Sequence, residues 1–141
     1  MRRGTTLLEL VLVLATVGIL VGIALPRFQS LADGLAVHAA VLDLVSAHQR
    51  ARMSAILRSR VLELTIGPDE LVIRARGDTT ALWRAPGPAA RQVGLAGPPH
   101  TMVFSPVGVT FGLSNASFRL SRGGIVSTVI VSRLGRVRTV P

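Results

Sequence analysis

The feature that most constrains this chain is an apolar segment near its N-terminus. The 21 residues from Thr5 to Leu25 carry a single charged side chain, Glu9. As an α-helix they would be about 31 Å long, which matches the ~30 Å hydrocarbon core of a bilayer. The segment therefore predicts a membrane-spanning helix. An unpaired carboxylate in lipid costs on the order of a few kcal/mol, so the position of Glu9 requires an explanation.

The residues before the apolar segment indicate its orientation. Arg2 and Arg3 are basic, and because basic residues stay on the cytoplasmic side of a membrane, we expect a cytoplasmic N-terminus. A cleaved secretory signal has a shorter apolar core, of roughly 7 to 15 residues, and no acid at its front. A plain signal anchor is a second explanation, and a third treats Glu9 as a stray acid that snorkels to the interface. None of these gives the acid a function.

The charges and the absence of cysteine narrow the classes of function. The chain has 141 residues, which is room for one domain besides the apolar segment. Because it has no cysteine, disulfides and cysteine-based catalysis or metal binding are excluded. The net charge is +9, and residues 79–141 contain seven arginines and no acid. Such a surface attracts phosphate polymers or anionic lipid, although a basic, solvated face has the same composition.

Residues 26–58 have the spacing of an amphipathic helix. Their large apolar residues recur at intervals of three, four, seven or eight, which predicts a stripe that packs on a sheet as core. The members of this predicted core stripe are Phe28, Leu31, Leu35, Leu42, Val45, Met53 and Ile56. We therefore expect the membrane helix to continue into a helical spine.

The remaining sequence alternates between apolar and polar residues, as strands do. A hairpin is predicted at residues 60–66 and 70–76, around the turn Gly67–Asp69. Further strands are expected at residues 79–85, 101–106, 109–113, 117–122 and 125–140, with a loop at 86–100 and a turn at Gly123–Gly124. The pattern predicts an α+β fold in which one long helix packs on an antiparallel β-sheet.

The stretch from Gly4 to Glu9, GTTLLE, resembles the "GFTLIE" processing site of type IV pilins and type II secretion pseudopilins. The resemblance implies cleavage by a prepilin peptidase between Gly4 and Thr5 and N-methylation of Thr5. It also implies that Glu9 is the glutamate at the fifth mature position. Pro26 matches a proline that bends or breaks the helix in that family. Thr5 departs from the usual phenylalanine at the first mature position.

The chemistry of the processed end suggests a role for Glu9. Cleavage after Gly4 would create an α-amine at Thr5, and Thr5 and Glu9, four residues apart, share a helix face. When two such helices pack side by side, the amine of one can pair with Glu9 of its neighbour. This pairing would remove the cost of the carboxylate in lipid and set the axial register of a filament. Glu9 is therefore predicted to be an assembly residue.

The C-terminal half resembles, more weakly, the GspH/FimT family of minor pilins. Phe104 to Gly108 fits an F-x-x-x-G segment of that family, and Gly135 to Arg138 fits its terminal G-R-[IV]-R. FimT-like minor pilins of natural transformation are held to bind DNA through this basic tail. GspH-like pseudopilins contact other subunits or cargo near the pseudopilus tip. The resemblance leaves both roles open.

Three arginines of the tail are the candidate DNA-binding residues, namely Arg133, Arg136 and Arg138, which lie within six residues of one another. In a strand over 135–139, Arg136 and Arg138 would point to the same face about 7 Å apart, with Val137 facing inward. Two guanidinium groups at that spacing suit neighbouring phosphates. The alternative is that these arginines contact a neighbouring subunit or cargo.

No set of residues in the sequence points to catalysis. The three histidines, His38, His48 and His100, do not have the i, i+4 spacing of a helical metal site and are expected to be solvated or locally hydrogen-bonded. The adjacent acids Asp69 and Glu70 fall in a predicted turn. We therefore expect no enzyme activity, no metal and no cofactor.

These observations predict four segments. Residues 1–4 form a leader peptide, 5–25 a transmembrane and filament-core helix, 26–58 an amphipathic helical spine, and 59–141 a β-rich domain in the periplasm. The predicted function is a minor pilin or pseudopilin, an initiation or tip subunit of a type II secretion pseudopilus or a type IV pilus. The alternative is a DNA-binding minor pilin for natural transformation. Expected partners are the prepilin peptidase, other pilins and the inner membrane, with secreted cargo and DNA as further candidates.

Overall fold

The computed structural model describes residues 6–111, 115–132 and 135–140. Within them, a helix α1 (Leu7–Leu57) precedes the strands β1 (Leu62–Ile66), β2 (Glu70–Ala75), β3 (Ala81–Pro86), β4 (Gly94–Leu95), β5 (His100–Phe104), β6 (Thr110–Phe111), β7 (Asn115–Arg122), β8 (Ile125–Ser132) and β9 (Val137–Val140). A short 3-10 helix covers Pro88–Arg91. The chain divides into two units, one up to Ala32 and one from Asp33 onward.

Pro26 lies inside α1 and does not end it. The helix break predicted at this position is therefore absent. Proline lacks an N–H group and so removes one i→i−4 hydrogen bond. The leucine and alanine residues just before it are strong helix formers, so the helix continues despite the missing hydrogen bond.

The strands from Asp33 onward form two antiparallel sheets. The first has the order β3-β2-β1-β5-β6 and the second the order β4-β7-β8-β9. The predicted hairpin is β1 and β2, paired so that Leu62 lies opposite Ala75 and Ile66 opposite Leu71. The α+β class, with a long N-terminal helix and antiparallel strands, is confirmed, while the single expected sheet is in fact two.

The predicted loop at 86–100 contains regular structure. It holds the 3-10 helix and β4, whose residues Gly94 and Leu95 pair with β7. A strand of two residues is too short to show the alternation of apolar and polar side chains by which strands are predicted. The last predicted segment, 125–140, is two strands, β8 and β9. Of the strand expected at 109–113, residues 112 and 113 lie outside the described part.

The face of α1 that enters the core is rich in alanine. Its buried residues are Val37, Ala40, Val41, Leu44, Ala47, His48, Ala51 and Ala55. Small side chains let a helix backbone approach a sheet closely, and here they belong to the same apolar cluster as Leu62, Leu64 and Phe104. The core of this unit is therefore formed by an alanine-lined helix and the inner faces of both sheets.

Most residues of the predicted core stripe lie on the exposed side of α1. Leu35 is 63% exposed and Leu42 is 54% exposed, and Phe28, Leu31, Met53 and Ile56 are exposed as well. Of that set, Val45 packs against the core. The prediction failed because it counted large apolar residues, whereas the sheets select the face whose side chains are small. The helix thus has a second apolar face that its own domain does not cover.

Candidate functional site

The predicted processing site lies at the edge of the described residues. Gly4 and Thr5 fall outside them, and Glu9 is exposed in the first turn of α1. The hydroxyl of Thr6 accepts a hydrogen bond of 3.2 Å from the backbone N–H of Glu9, which makes Thr6 the N-cap of the helix. An acid in the first turn also interacts favourably with the helix dipole. Sequence reasoning missed Thr6, although the spacing Thr-x-x-Glu is the signature of a capping box.

The apolar half of α1 is exposed in the part of the chain that the structure describes. Among the described residues, this is the one helix long and apolar enough to cross a membrane, and its apolar window is not buried. From Leu7 to Leu25, every side chain is exposed except that of Ala24, which is half-buried. A surface of this size and composition requires lipid or other helices around it.

The uncovered apolar surface also occurs in the second unit. Leu35, Leu42 and Met53 lie on one side of α1, because seven and eighteen residues correspond to nearly whole numbers of helical turns. All three are at least half exposed. An apolar stripe of this kind on a helix is the surface that packs against another helix.

In the folded chain, acids from the first part of the sequence neutralise some of the arginines that follow residue 78. Within the described residues, four arginines pair with acids: Arg122 with Asp33 at 2.8 Å, Arg91 with Asp43 at 2.8 Å, Arg76 with Glu63 at 3.6 Å, and Arg84 with Glu70 at 3.6 Å. The pair between Arg122 and Asp33 is the least exposed, and Arg122 also donates a 2.6 Å bond to the carbonyl of Arg91. Three of the seven arginines after residue 78 are therefore structural.

The tail places two of its three arginines beside the second sheet. Arg138 lies on β9 opposite Ile130 of β8, and Val137 packs against the core, as predicted. Arg136 precedes β9 and is not part of it, and its backbone N–H donates to the hydroxyl of Ser132 at 3.2 Å. Arg133 lies outside the described residues. Arg136 and Arg138 are both exposed, and neither has an acidic partner within the described part of the chain.

The side chain of Arg52 in α1 lies beside the glycines of both C-terminal motifs, Phe104 to Gly108 and Gly135 to Arg138. The sequence did not predict this arrangement. The motif glycines Gly108 and Gly135 have φ values of +79° and +76°, a region that favours glycine. A Cβ at Gly108 would lie 2.8 Å from Cδ1 of Ile56 and 3.2 Å from Nε of Arg52, and one at Gly135 would lie 3.4 Å from Nη1 of Arg52. Both glycines therefore lie beside the guanidinium of Arg52, and Gly108 also leaves room for Ile56. The periodicity of residues 26–58 concerns their apolar side chains, so it gave no signal of this contact.

The three histidines occupy different environments. His38 faces an open groove beside β8 and β9, and His100 is exposed with its ring 5.7 Å from that of Phe118. His48 is fully buried, its ring 5.2 Å from that of Phe104, and neither ring nitrogen has a hydrogen-bond partner among the described residues. The expectation of a solvated or hydrogen-bonded side chain is wrong for His48, which acts as an apolar ring in the core. No group of three potential metal ligands occurs among the described residues.

The burial of His48 predicts a pH-dependent stability. Burial, and secondarily the charge of Arg52, lowers its pKa from 6.5 to about 4. The unfolded chain therefore takes up this proton at a higher pH than the folded chain. The contribution of His48 to stability is full above pH 6.5 and is lost as the pH falls towards about 4, by about 3 kcal/mol.

Urea unfolding of the wild type and of His48→Leu at about pH 7 and about pH 4.5 measures this contribution. Carboxylates weaken both proteins alike at low pH, so the difference between the two losses isolates His48. We expect the wild type to lose more stability than the variant. Equal losses would show that His48 is not held neutral in the core.

The fold and the exposed helix together define a pilin-like subunit. Among solved structures, the chain is similar to the type IV minor pilin FimU of Pseudomonas aeruginosa strain PAO1 in two crystal forms. The TM-scores are 0.62 and 0.60 at 19% and 18% identity, covering 74% of this chain and 88% and 93% of the FimU chains. This likeness concerns the fold, and it confirms the expected architecture.

Sequence comparison identifies the family. The profile of the family described as type II transport protein GspH matches residues 40–135. The chain belongs to this family. It is also 43% identical over 65 residues to the pilin-like protein PilA1 of Thermus thermophilus, a match that covers 46% of this chain. The chain spans 40% of the length of that relative.

Proposed function

We propose that this protein is a minor pilin or pseudopilin that assembles through α1 into a type II secretion pseudopilus or a type IV pilus, as an initiation or tip subunit. The observation that carries the proposal is the uncovered apolar surface of α1, present both at Leu7–Leu25 and at Leu35 and Leu42. An exposed apolar surface of this kind is unfavourable in water, whereas it is buried when the helix packs among other helices. A structural subunit of this family needs no catalytic activity for this role.

The proposed assembly begins in the inner membrane. A prepilin peptidase cuts between Gly4 and Thr5 and leaves the globular unit in the periplasm. The α-amine of Thr5 on one subunit then pairs with Glu9 of the next, and the apolar surfaces of neighbouring helices pack together. The pairing sets the register, because the carboxylate has no other charge partner in lipid. The stripe of Leu35, Leu42 and Met53 extends the helix contacts beyond the membrane.

Cysteine cross-linking tests this helix contact. The chain has no cysteine, so Leu35→Cys and Leu42→Cys each introduce a unique thiol on the stripe. In cells that express the assembly machinery, a short thiol cross-linker should join each variant to other pilin subunits. Ser117→Cys, at an exposed position on β7, is the matched control and should remain largely monomeric. Equal cross-linking at the stripe and at the control would contradict the proposal.

A second candidate function is DNA binding during natural transformation. The observation that favours it is the exposure of Arg136 and Arg138 without an acidic partner among the described residues. Guanidinium groups bind phosphates through two parallel hydrogen bonds. Binding of labelled duplex DNA by the full chain in a non-ionic detergent, compared with an Arg136→Gln, Arg138→Gln double variant, tests this function. A double variant that binds as the wild type does would exclude the tail as a DNA site, leaving contacts with subunits or cargo.

A further inference from the structure

A pocket of about 290 Å³ lies between α1, the edge strand β3 and the 3-10 helix. Trp83 and Pro86 of β3 give it apolar surface, and Asp43 of α1 and Arg91 of the 3-10 helix give it polar groups. Its volume is close to the lower end of the range for small-molecule sites, roughly 300–1,000 Å³. The pocket therefore suits a ligand about the size of a single ring.

The walls of this pocket are held in place by contacts outside it. The guanidinium carbon of Arg50 lies 5.2 Å from the centre of the Trp83 ring, and Arg50 is not among the residues that line the pocket. This cation–π contact restrains the indole from outside the cavity. The backbone N–H of Gly87 donates a 2.7 Å bond to the carbonyl of Asp69, which ties the segment after β3 to the β1–β2 turn. A pocket with ordered walls loses little conformational entropy when it binds a ligand.

The charged groups of the pocket favour a neutral ligand. Of the described residues that line it, Asp43 and Arg91 are the charged ones, and Nε of Arg91 donates to Oδ2 of Asp43 at 2.8 Å. Because the two charges compensate each other, a lone anion or cation gains little net attraction there. Both side chains are nearly half exposed, and the second carboxylate oxygen and the Nη groups have the capacity to bond to a ligand. The ion pair thus offers an acceptor beside a donor.

We propose that this pocket binds one ring of a neutral carbohydrate. The C–H face of a sugar ring is apolar and packs against the indole of Trp83. Each ring hydroxyl is both a donor and an acceptor, so one hydroxyl donates to Asp43 while its neighbour accepts from Arg91. A phenol ring also has an apolar face, but its single hydroxyl would have to serve both members of the ion pair.

The fluorescence of Trp83 reports on this pocket directly, because Trp83 is the one tryptophan in the sequence. The full chain is titrated with N-acetylglucosamine and with cellobiose in a polyoxyethylene detergent, whose headgroup contains no sugar. We expect a saturable change in emission with at least one of the two sugars, with half-saturation on the order of 1 mM. Sorbitol carries hydroxyl groups on an open chain and is the control, which should leave the emission unchanged.

Two variants locate the bound sugar. Asp43→Asn keeps the shape of the side chain and removes its charge, so half-saturation should require a roughly tenfold higher sugar concentration. Ala90→Leu, at an exposed position in the pocket wall, fills the cavity without replacing either member of the ion pair and should abolish the change in emission. Glu63→Gln is the matched control, because it removes the same charge and breaks an ion pair with Arg76 outside the pocket. It should titrate as the wild type does.

The outcomes distinguish a sugar site from its alternatives. No saturable change with either sugar, or an equal response to sorbitol, would overturn the proposal. A response to tyrosinamide but not to the sugars would also overturn it, since the pocket would then take an aromatic side chain of a protein. If Asp43→Asn and Ala90→Leu fold normally by circular dichroism and titrate as the wild type does, the sugar binds elsewhere. Failure of this proposal leaves the proposed filament assembly intact, because Glu9 and the apolar stripe of α1 lie outside the pocket.

Discussion

Replacing Glu9 by glutamine is expected to abolish co-assembly of this protein with other pilins while leaving it in the membrane. Glutamine has nearly the same shape as glutamate, but it cannot form the ion pair proposed between Glu9 and the α-amine of Thr5 on a neighbouring subunit. A charge-assisted hydrogen bond contributes about 1.5–3 kcal/mol, so its loss lowers association at least roughly tenfold at each contact. The helix start should persist, because the cap uses the backbone N–H of Glu9 and the hydroxyl of Thr6.

Co-purification of other pilin subunits from detergent-solubilised membranes measures this effect. Asp69→Asn, in the turn between β1 and β2, is the control with the same change of charge and should co-purify normally. The structure suggests a competing role for Glu9, since an acid in the first turn stabilises a helix by about 0.3–1 kcal/mol. If that were its only role, Glu9→Gln would assemble normally. Thr6→Ala removes the cap and keeps the carboxylate, and we expect it to assemble.

Replacing Gly87 by alanine is expected to destabilise the globular unit by about 3 kcal/mol. A Cβ at Gly87 would lie 2.7 Å from the backbone carbon of Asp69 and from the backbone nitrogen of Glu70, and closer still to the carbonyl oxygen of Pro68. These are backbone atoms of the β1–β2 turn, which cannot move aside as a flexible side chain can. Gly87 is also anchored there, since its N–H donates a 2.7 Å bond to the carbonyl of Asp69.

Gly34→Ala provides the contrast for Gly87→Ala. Gly34 lies inside α1, and a Cβ there would have no neighbour within 4 Å among the described residues. Because alanine favours the helix over glycine, this substitution should stabilise by about 0.8 kcal/mol. Thermal unfolding followed by circular dichroism in detergent compares the two variants. A neutral Gly87→Ala would show that the segment after β3 does not rest on the β1–β2 turn.

The sequence predicted the elements better than it predicted their packing. The apolar segment, the alternation around Gly67–Asp69 and the glycine turn at Gly123–Gly124 are local signals, and local signals determine where helices and strands form. The division of the strands into two sheets depends on non-local pairing, for example Gly94 with Ser121. No periodicity in one segment contains that information.

The misplaced core stripe has the same origin. Leu35 and Leu42 are larger and more apolar than Ala47 and Ala51, so a periodicity argument places the leucines inside. The structure buries the alanines because two sheets must approach the helix closely. In the proposed filament, a neighbouring subunit would cover these leucines, and the sequence of one chain does not describe that partner.

The candidate tail site was predicted in part. The sequence indicated Arg136, Arg138 and the inward-facing Val137, because these are consecutive residues near a strand. It did not indicate that Arg122 would form an ion pair with Asp33, which lies 89 residues earlier in the chain. Nor did it indicate that Arg52 would lie against Gly135. Both are contacts between distant segments, which only the folded chain brings together.

The mass of the mature protein, isolated from native membranes, tests the proposed processing and assembly most directly. We expect a chain that begins at Thr5 and carries an N-terminal methyl group, because the proposed assembly requires cleavage after Gly4. A chain that retains Met1, or one cut near Ala24 as a secretory signal would be, would contradict it.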